Sequence, residues 1–214
     1  MTALAIARRM AQCCRQLAER GLAAGQDGNV SVRVGRDRVL VTPSGALKSQ
    51  LQAADMVEVT LAGRRRRGRR NPTSELDLHL RILRRRGDVG AVVHAHPPTA
   101  TAFGVAGLDL TSFALAELIL LVGPVPLVPY ATPGSAVLGE RVEQCIASHD
   151  ALLLANHGAV TVGRTLDEAW IRMESLEHAA RILAAARALG RVNEVEREAV
   201  EELMRLRARR GRDV

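Results

Sequence analysis

Apolar residues recur at two spacings along this chain, and the succession of these spacings predicts the order of its helices and strands. Repeats near 3.6 residues are typical of helices, whereas alternating or short continuous apolar runs are typical of strands. Predicted helices cover residues 3–22, 75–86, 98–105, 112–122, 135–148, 165–189 and a final basic stretch to about 209. Predicted strands cover residues 29–34, 39–41, 56–61, 90–96, 125–130, 151–155 and 159–162. Strands separated by both turns and helices indicate a layered α/β (α+β) fold, and no repeat or linker divides residues 1–214, so we expect a single domain.

The apolar residues of this chain are mostly aliphatic. Hydrophobic residues make up 47% of the sequence but aromatic residues only 2%, so the core must consist of Leu, Val, Ala and Ile. No apolar run approaches the roughly 18 residues of a membrane span, and the first residues do not resemble a secretory signal. Cys13 and Cys14 are adjacent and Cys145 is left over, which favours a reducing, cytoplasmic location.

The chain is basic, with a formal net charge of +7, and much of the excess positive charge lies in the run Arg64–Arg70. We interpret this run as a solvated turn between two strands. Nucleic-acid binding is disfavoured because the run contains no interleaved aromatic residues for base stacking. Steering of an anionic substrate and a subunit contact remain as alternatives for the run.

A histidine pair marks the most informative stretch, Gly-Ala-Val-Val-His94-Ala-His96-Pro. Side chains alternate between the faces of a strand, so His94 and His96 should point the same way. A surface pair or a hydrogen-bonded pair would look the same in sequence, but neutral imidazole is also a standard zinc ligand. His157, in a glycine-containing turn after a strand, is the candidate third ligand, and three histidines would leave one position open for substrate. For His79, His149 and His178 we expect solvent or structural roles, with His79 and His178 on partly exposed helix faces.

Glu75 is the carboxylate that stands out, because it begins a helix directly after two hydroxyl residues. Its simplest interpretation is a first-turn acid stabilised by the helix dipole, with Ser74 and Asp77 forming a capping box. Small and hydroxyl residues also cluster in three predicted loops. They are Gly28 to Ser31, Ser44-Gly45 and Thr73-Ser74. Together these loops could bind a phosphate through backbone N–H and hydroxyl groups, with Lys48 adding charge.

The combination of these motifs is more specific than any one of them. In order they are Gly-Asn-Val-Ser at 28–31, Thr-Pro-Ser-Gly at 42–45, Pro-Thr-Ser-Glu at 72–75, Val-Val-His-Ala-His at 92–96 and Asn-His-Gly at 156–158. Their order and spacing over about residues 5–185 resemble the class II aldolase/adducin family. Within that family the pattern is most similar to the L-fuculose-1-phosphate aldolases.

The resemblance implies a fold, a site and a reaction. The implied fold is a three-layer domain, with a central, largely antiparallel sheet and helices on both faces. His94, His96 and His157 would be the ligands of one Zn²⁺ per chain, and Glu75 would be both a general acid/base and a ligand before substrate arrives. The phosphate of dihydroxyacetone phosphate would be held by Gly28, Asn29, Ser44, Gly45, Thr73 and Ser74. The implied enzyme is a lyase that cleaves a small ketose 1-phosphate in a retro-aldol reaction, and it would form a cyclic homotetramer.

The sequence departs from the fuculose-phosphate aldolases on the aldehyde side of the site. Those enzymes carry a tyrosine where this chain has Ser112–Glu117 and another near the C-terminus, whereas the only tyrosine here is Tyr130. The epimerase, methylthioribulose-phosphate dehydratase and sugar-acid-phosphate decarboxylase branches are therefore alternatives, although epimerases carry Asp in place of Glu75. A non-catalytic, adducin-like role is disfavoured because Glu75 and the three histidines are all present.

Overall fold

The computed structural model describes residues 2–210, which fold around one eight-stranded sheet in the order β4-β3-β2-β1-β5-β8-β7-β6. The strands are β1 (Asn29–Gly35), β2 (Arg38–Val41), β3 (Val57–Val59), β4 (Arg65–Arg67), β5 (Ala91–Ala95), β6 (Leu127–Val128), β7 (Ala151–Leu154) and β8 (Gly158–Gly163). Every neighbouring pair is antiparallel except β6 and β7, which are parallel. The predicted, largely antiparallel sheet is therefore confirmed.

Seven α-helices accompany this sheet within the described residues. They are α1 (Ala3–Glu19), α2 (Leu76–Arg85), α3 (Pro98–Val105), α4 (Ala116–Leu121), α5 (Ala136–Ile146), α6 (Leu166–Leu189) and α7 (Arg197–Arg210). The side chains of Thr2, Ser135 and Thr165 cap α1, α5 and α6 by accepting a backbone N–H of the first turn, as helix starts require.

Apolar residues of the central strands point alternately into two separate cores. Ala91 and Val93 of β5 pack in the core that α1, α3 and α6 cover. Val92, between them, packs with Val160 of β8 in the opposite core, which α2 and α5 cover. Because each core lies between one sheet face and its own helices, the predicted three-layer arrangement is confirmed, and Glu75, at the start of α2, lies on the second face.

Two elements differ from the sequence-based predictions. The arginine run is not simply a turn, because Arg65–Arg67 forms the exposed edge strand β4, where the long cationic side chains remain in solvent. The predicted helix over 112–122 is shorter, with only Ala116–Leu121 helical. The preceding stretch is held outside the helix because the carbonyl of Phe113 accepts a hydrogen bond from Val195 N–H at 2.9 Å.

Across the described part of the chain, every helix is too short or too polar to span a bilayer. The three cysteines are free thiols, of which Cys13 and Cys14 lie on the buried face of α1. Burial raises the pKa of the Cys14 thiol to about 12, so this group behaves as an apolar core side chain.

Candidate metal and proton-transfer site

The site begins at the end of β5, which lies between β1 and β8 in the middle of the sheet. His94 is fully buried within the strand, and His96 follows one residue after the strand ends at Ala95. Their Nε2 atoms nevertheless face each other at 3.3 Å. The structure thus brings the two predicted ligands together as the alternation of strand side chains indicated.

His157 joins this pair from the turn between β7 and β8. Asn156 adopts a left-handed conformation, with φ of 54°, and turns the chain so that the His157 ring centroid lies 4.7 Å from that of His94. Gly158 follows where a Cβ atom would lie 2.6 Å from both the Ala95 carbonyl oxygen and the His96 ring. Glycine is therefore what allows the turn to approach His96 so closely.

Glu75 completes the cluster from the start of α2. Its Oε2 lies 3.1 Å from His94 Nε2, and its Oε1 lies 3.6 Å from His157 Nε2. The predicted capping box is wrong, because Glu75 itself is the N-cap residue and its carboxylate makes no cap hydrogen bond to the described residues of α2. The side chain turns inward to the histidines instead, and the residue is only 8% exposed.

The four side chains have the composition and spacing that a metal ion requires. One ligand atom from each of His94, His96 and His157 lies within 4.8 Å of the others. The 3.3 Å between the first two Nε2 atoms matches the roughly 3.3 Å expected for two nitrogens about 2.0–2.1 Å from one tetrahedral ion. His94 Nδ1 donates to the Ala159 carbonyl at 2.9 Å, which leaves Nε2 as the nitrogen that faces the cluster. These residues therefore fit a metal ion.

Two buried polar atoms in this cluster lack a hydrogen-bond partner among the described residues, namely Glu75 Oε1 and His157 Nδ1. A buried polar atom without a partner costs free energy, so such atoms need an explanation. A bound ion and substrate would supply the missing interaction at the carboxylate.

The protonation states of His157 and Glu75 also suit a metal ligand set. Burial, and then the charge of His94, lower the pKa of His157 to about 4, so its imidazole is neutral near pH 7. Burial alone would raise the pKa of Glu75, but His94 and the hydrogen bonds from His94 and Asn29 outweigh it and hold that pKa well below the usual range. Burial lowers the pKa of His94, but the charge and hydrogen bond of the Glu75 carboxylate outweigh burial and raise that pKa above its ordinary value. Glu75 is therefore an ionised carboxylate.

Behind Glu75 lies a buried polar network that includes the histidine we had expected on a partly exposed face. His79 is completely buried, so that prediction is wrong, and its ring contacts Ser31 and Asn29. Asn29 Nδ2 in turn donates to Glu75 Oε2 at 2.8 Å. The sequence held one signal for this contact, since Glu75 and His79 are four residues apart and thus share a helix face. His178 is exposed on α6, as predicted, and His149 lies in a loop.

The three loops predicted to bind phosphate meet beside the histidines. Ser44 N–H donates to the Asn71 carbonyl at 3.0 Å, and Gly28 lies so close to β5 that a Cβ atom there would be 2.7 Å from the His94 carbonyl oxygen. Ser44, Gly45 and Ser74 are exposed, whereas Gly28, Asn29 and Thr73 are buried. Thr73 Oγ1 accepts a hydrogen bond from Glu75 N–H at 3.3 Å. The predicted set is thus contiguous with the histidines, with three members open to a ligand.

Lys48 connects two of these loops from inside the protein. It is 2% exposed, and its ammonium donates to the carbonyl oxygens of Gln26 at 2.8 Å and Ala46 at 3.0 Å. Burial lowers its pKa. It is also the only lysine among the 30 lysine and arginine residues of the chain. The structure thus gives Lys48 a bracing contact between the loops, whereas the sequence suggested only that it adds charge to phosphate binding.

Lys48→Met should therefore destabilise the protein. The change leaves the two loop carbonyls without a buried donor, and we expect the free energy of unfolding to fall by about 1–3 kcal/mol in urea denaturation. Arg69→Met, at an exposed position, is the matched control and should change it by less than about 0.5 kcal/mol. Equal stability of the two variants would show that Lys48 does not brace the loops.

Comparison with known proteins agrees with the fold. Residues 8–184 match the family model described as Class II Aldolase and Adducin N-terminal domain. An L-fuculose phosphate aldolase from Methanococcus maripaludis is 37% identical over 169 residues, which cover 79% of this chain and 91% of the relative. A 3-oxo-tetronate 4-phosphate decarboxylase from Pectobacterium atrosepticum is 37% identical over 170 residues, covering 77% of each protein. The solved structure of an L-fuculose 1-phosphate aldolase superposes with a TM-score of 0.88 at 28% identity, covering 94% of both chains.

The chain belongs to the class II aldolase and adducin family, as its motifs predicted. The predicted enzyme class, a lyase, is confirmed with it.

Proposed function

We propose that this protein is a zinc-dependent aldolase that reversibly cleaves a ketose 1-phosphate, similar to L-fuculose 1-phosphate, into dihydroxyacetone phosphate and an aldehyde. The observation that carries the proposal is the buried carboxylate of Glu75 facing a cluster of three imidazoles. The similarity to an L-fuculose phosphate aldolase supports the choice of substrate.

In this proposal His94, His96 and His157 hold the zinc ion, together with Glu75 before substrate arrives. When bound, the metal supplies electrophilic stabilisation of the negative charge that develops when the carbon adjacent to the carbonyl loses the aldehyde. Neutral imidazoles suit this purpose because they leave the ion with its full positive charge.

Glu75 moves the proton. In the cleavage direction the carbon that loses the aldehyde must gain a proton, and in the synthesis direction the same carbon must give one up. An ionised carboxylate that is almost completely buried can do this without competition from bulk water. Its position beside the histidines puts the acid/base group next to the ion that would hold the substrate oxygens.

The phosphate-binding role falls to Gly28, Asn29, Ser44, Gly45, Thr73 and Ser74. The exposed hydroxyls of Ser44 and Ser74 can donate directly to phosphate oxygens. The packing of Gly28 against the backbone of His94 supports a phosphate position close to the reacting carbons.

A second candidate function is decarboxylation of a phosphorylated sugar acid. It is favoured by the absence of tyrosine from Ser112–Glu117, together with the 55% exposure of Tyr130, the only tyrosine. The similar identity to a 3-oxo-tetronate 4-phosphate decarboxylase supports it as well. Both reactions break a bond to the carbon adjacent to a ketone in a phosphorylated fragment and leave the electron pair on that carbon, so the same metal and phosphate residues serve either one.

The deciding experiment is incubation of zinc-loaded protein with dihydroxyacetone phosphate and a panel of aldehydes, with 3-oxo-tetronate 4-phosphate offered separately. Mass spectrometry should detect a ketose 1-phosphate formed from one or more aldehydes. Loss of CO₂ from the sugar acid without aldol product would favour the decarboxylase instead. If neither reaction occurs, both proposals fail.

We also propose that the protein works as a homotetramer in the cytoplasm. The family resemblance supports the tetramer, and the adjacent buried thiols of Cys13 and Cys14 suit a reducing compartment. The apolar run at 113–122 adds no support for a subunit contact, because Leu118, Ile119 and Val122 are buried within the chain's own core.

Light scattering at micromolar concentration should therefore give about four times the chain mass of 23.1 kDa. A monomer would contradict the tetramer but would leave the chemistry of the site untouched.

A further inference from the structure

The buried histidine of α2 has both ring nitrogens in contact with side chains of β1. His79 Nδ1 lies 2.7 Å from Ser31 Oγ, and His79 Nε2 contacts Asn29 Oδ1. Asn29 Nδ2 continues the path to Glu75 Oε2 at 2.8 Å. The side chains of Ser31, His79, Asn29 and Glu75 therefore form one continuous hydrogen-bonded chain that ends at the carboxylate.

The donor and acceptor of every hydrogen bond in this series follow from Glu75, the residue at its end. Glu75 Oε2 accepts the hydrogen bond from Asn29 Nδ2, so the Asn29 amide presents its NH₂ group to Glu75 and its oxygen to His79. That oxygen needs a donor, so His79 carries its proton on Nε2. Nδ1 is then an acceptor and takes the hydroxyl proton of Ser31. No other arrangement satisfies all four groups with a neutral ring.

This ordering makes the two oxygens of Glu75 unequal. Oε2 accepts a hydrogen bond from Asn29 Nδ2 at 2.8 Å and lies 3.1 Å from His94 Nε2. Oε1 is buried without a hydrogen-bond partner among residues 2–210, and His157 Nε2 lies 3.6 Å from it. One oxygen is therefore fixed by the protein, and the other is available to a substrate.

We propose that His79 is a positioning residue which, through Asn29, fixes Glu75 Oε2 and leaves Oε1 as the oxygen that exchanges the substrate proton. The inference rests on the proposed function for the identity of the reaction. Without an N–H at His79 Nε2, the Asn29 amide could turn over and direct its oxygen at the carboxylate. The carboxylate would then be repelled from the orientation in which Oε1 faces the histidines.

A matched pair of substitutions tests this role. In His79→Gln the amide nitrogen can reach the region of Nε2 and still donate to Asn29, whereas in His79→Asn it reaches only the region of Nδ1. With zinc-loaded protein, exchange of the dihydroxyacetone phosphate C–H proton in D₂O should be about 10- to 100-fold slower in H79N than in H79Q. KM and zinc content should match between the two variants.

A merely structural histidine would give a different pattern, with lower melting temperatures in both variants but the same exchange rate per folded molecule. Equal rates in H79N and H79Q would overturn the inference while leaving the proposed aldolase intact. If wild-type protein neither exchanges the proton nor cleaves any substrate, the proposed function fails, and the hydrogen-bond chain is judged by a second measurement.

That measurement is long-range ¹H–¹⁵N NMR of the zinc-loaded protein. The His79 signals, assigned by their loss in His79→Gln, should show a proton on Nε2 and none on Nδ1. A proton on Nδ1 would overturn the inference whatever the rates are, because Asn29 would then lack the donor that orients it.

Discussion

Glu75→Gln should slow both proton exchange and carbon–carbon cleavage by about 10²- to 10⁴-fold, the usual contribution of a general acid–base group. Glutamine is almost isosteric with glutamate but has no basic oxygen. The three histidines remain, so the variant should keep most of its zinc and still bind a phosphorylated mimic of the reacting fragment. The measurements are C–H exchange of dihydroxyacetone phosphate in D₂O, zinc content and affinity for the mimic.

The competing explanation for Glu75 is a first-turn acid that only stabilises its helix. That role would cost at most about 1 kcal/mol of stability on change to glutamine, with no effect on exchange. Glu198→Gln, in the exposed first turn of α7, is the matched control and should leave the exchange rate unchanged. Exchange by Glu75→Gln at the wild-type rate would mean that the base lies elsewhere, and the aldolase proposal would lose its central residue.

The local sequence pattern was sufficient to predict the pair of histidines at the centre of the site. Four small or β-branched residues before His94 predict a strand, and the alternation of side chains then puts His94 and His96 on the same side. The position of His157 depends on the folded chain, because a turn built on the left-handed Asn156 and on Gly158 brings its ring to the histidine pair. Only the resemblance of several motifs to one family could anticipate that contact from sequence.

The polar residues that the sequence misjudged are those whose partners lie far along the chain. His79 looked like a partly exposed helix residue because nothing nearby in sequence shows that Ser31 and Asn29 will cover it. Lys48 was expected only to add charge to phosphate binding, because the carbonyl of Gln26 that it contacts is 22 positions away. Burial of a polar group is favourable only when such partners are in place, so it becomes visible only in the assembled fold.

Removing the metal should abolish both proton exchange and cleavage, and Zn²⁺ should restore them. A ligand that binds only the folded state stabilises it, by about 2.7 kcal/mol at a hundred times its dissociation constant. We therefore expect the melting temperature of chelator-treated protein to rise on addition of Zn²⁺, with about one ion bound per chain. Elemental analysis and thermal unfolding measure the two effects independently of any substrate.

The triple variant His94→Ala, His96→Ala, His157→Ala separates this site from adventitious metal binding. It should bind no stoichiometric zinc and show no thermal shift, because Glu75 would be left as a single ligand. His178→Ala, at an exposed position on α6, should behave like the wild type in both measurements. Zinc retained by the triple variant would place the metal elsewhere. Full activity of metal-free wild-type protein would contradict the role of the metal, because the negative charge of the reaction would then have to be stabilised by the protein alone. Glu75 could not provide that stabilisation, because an ionised carboxylate is itself negative.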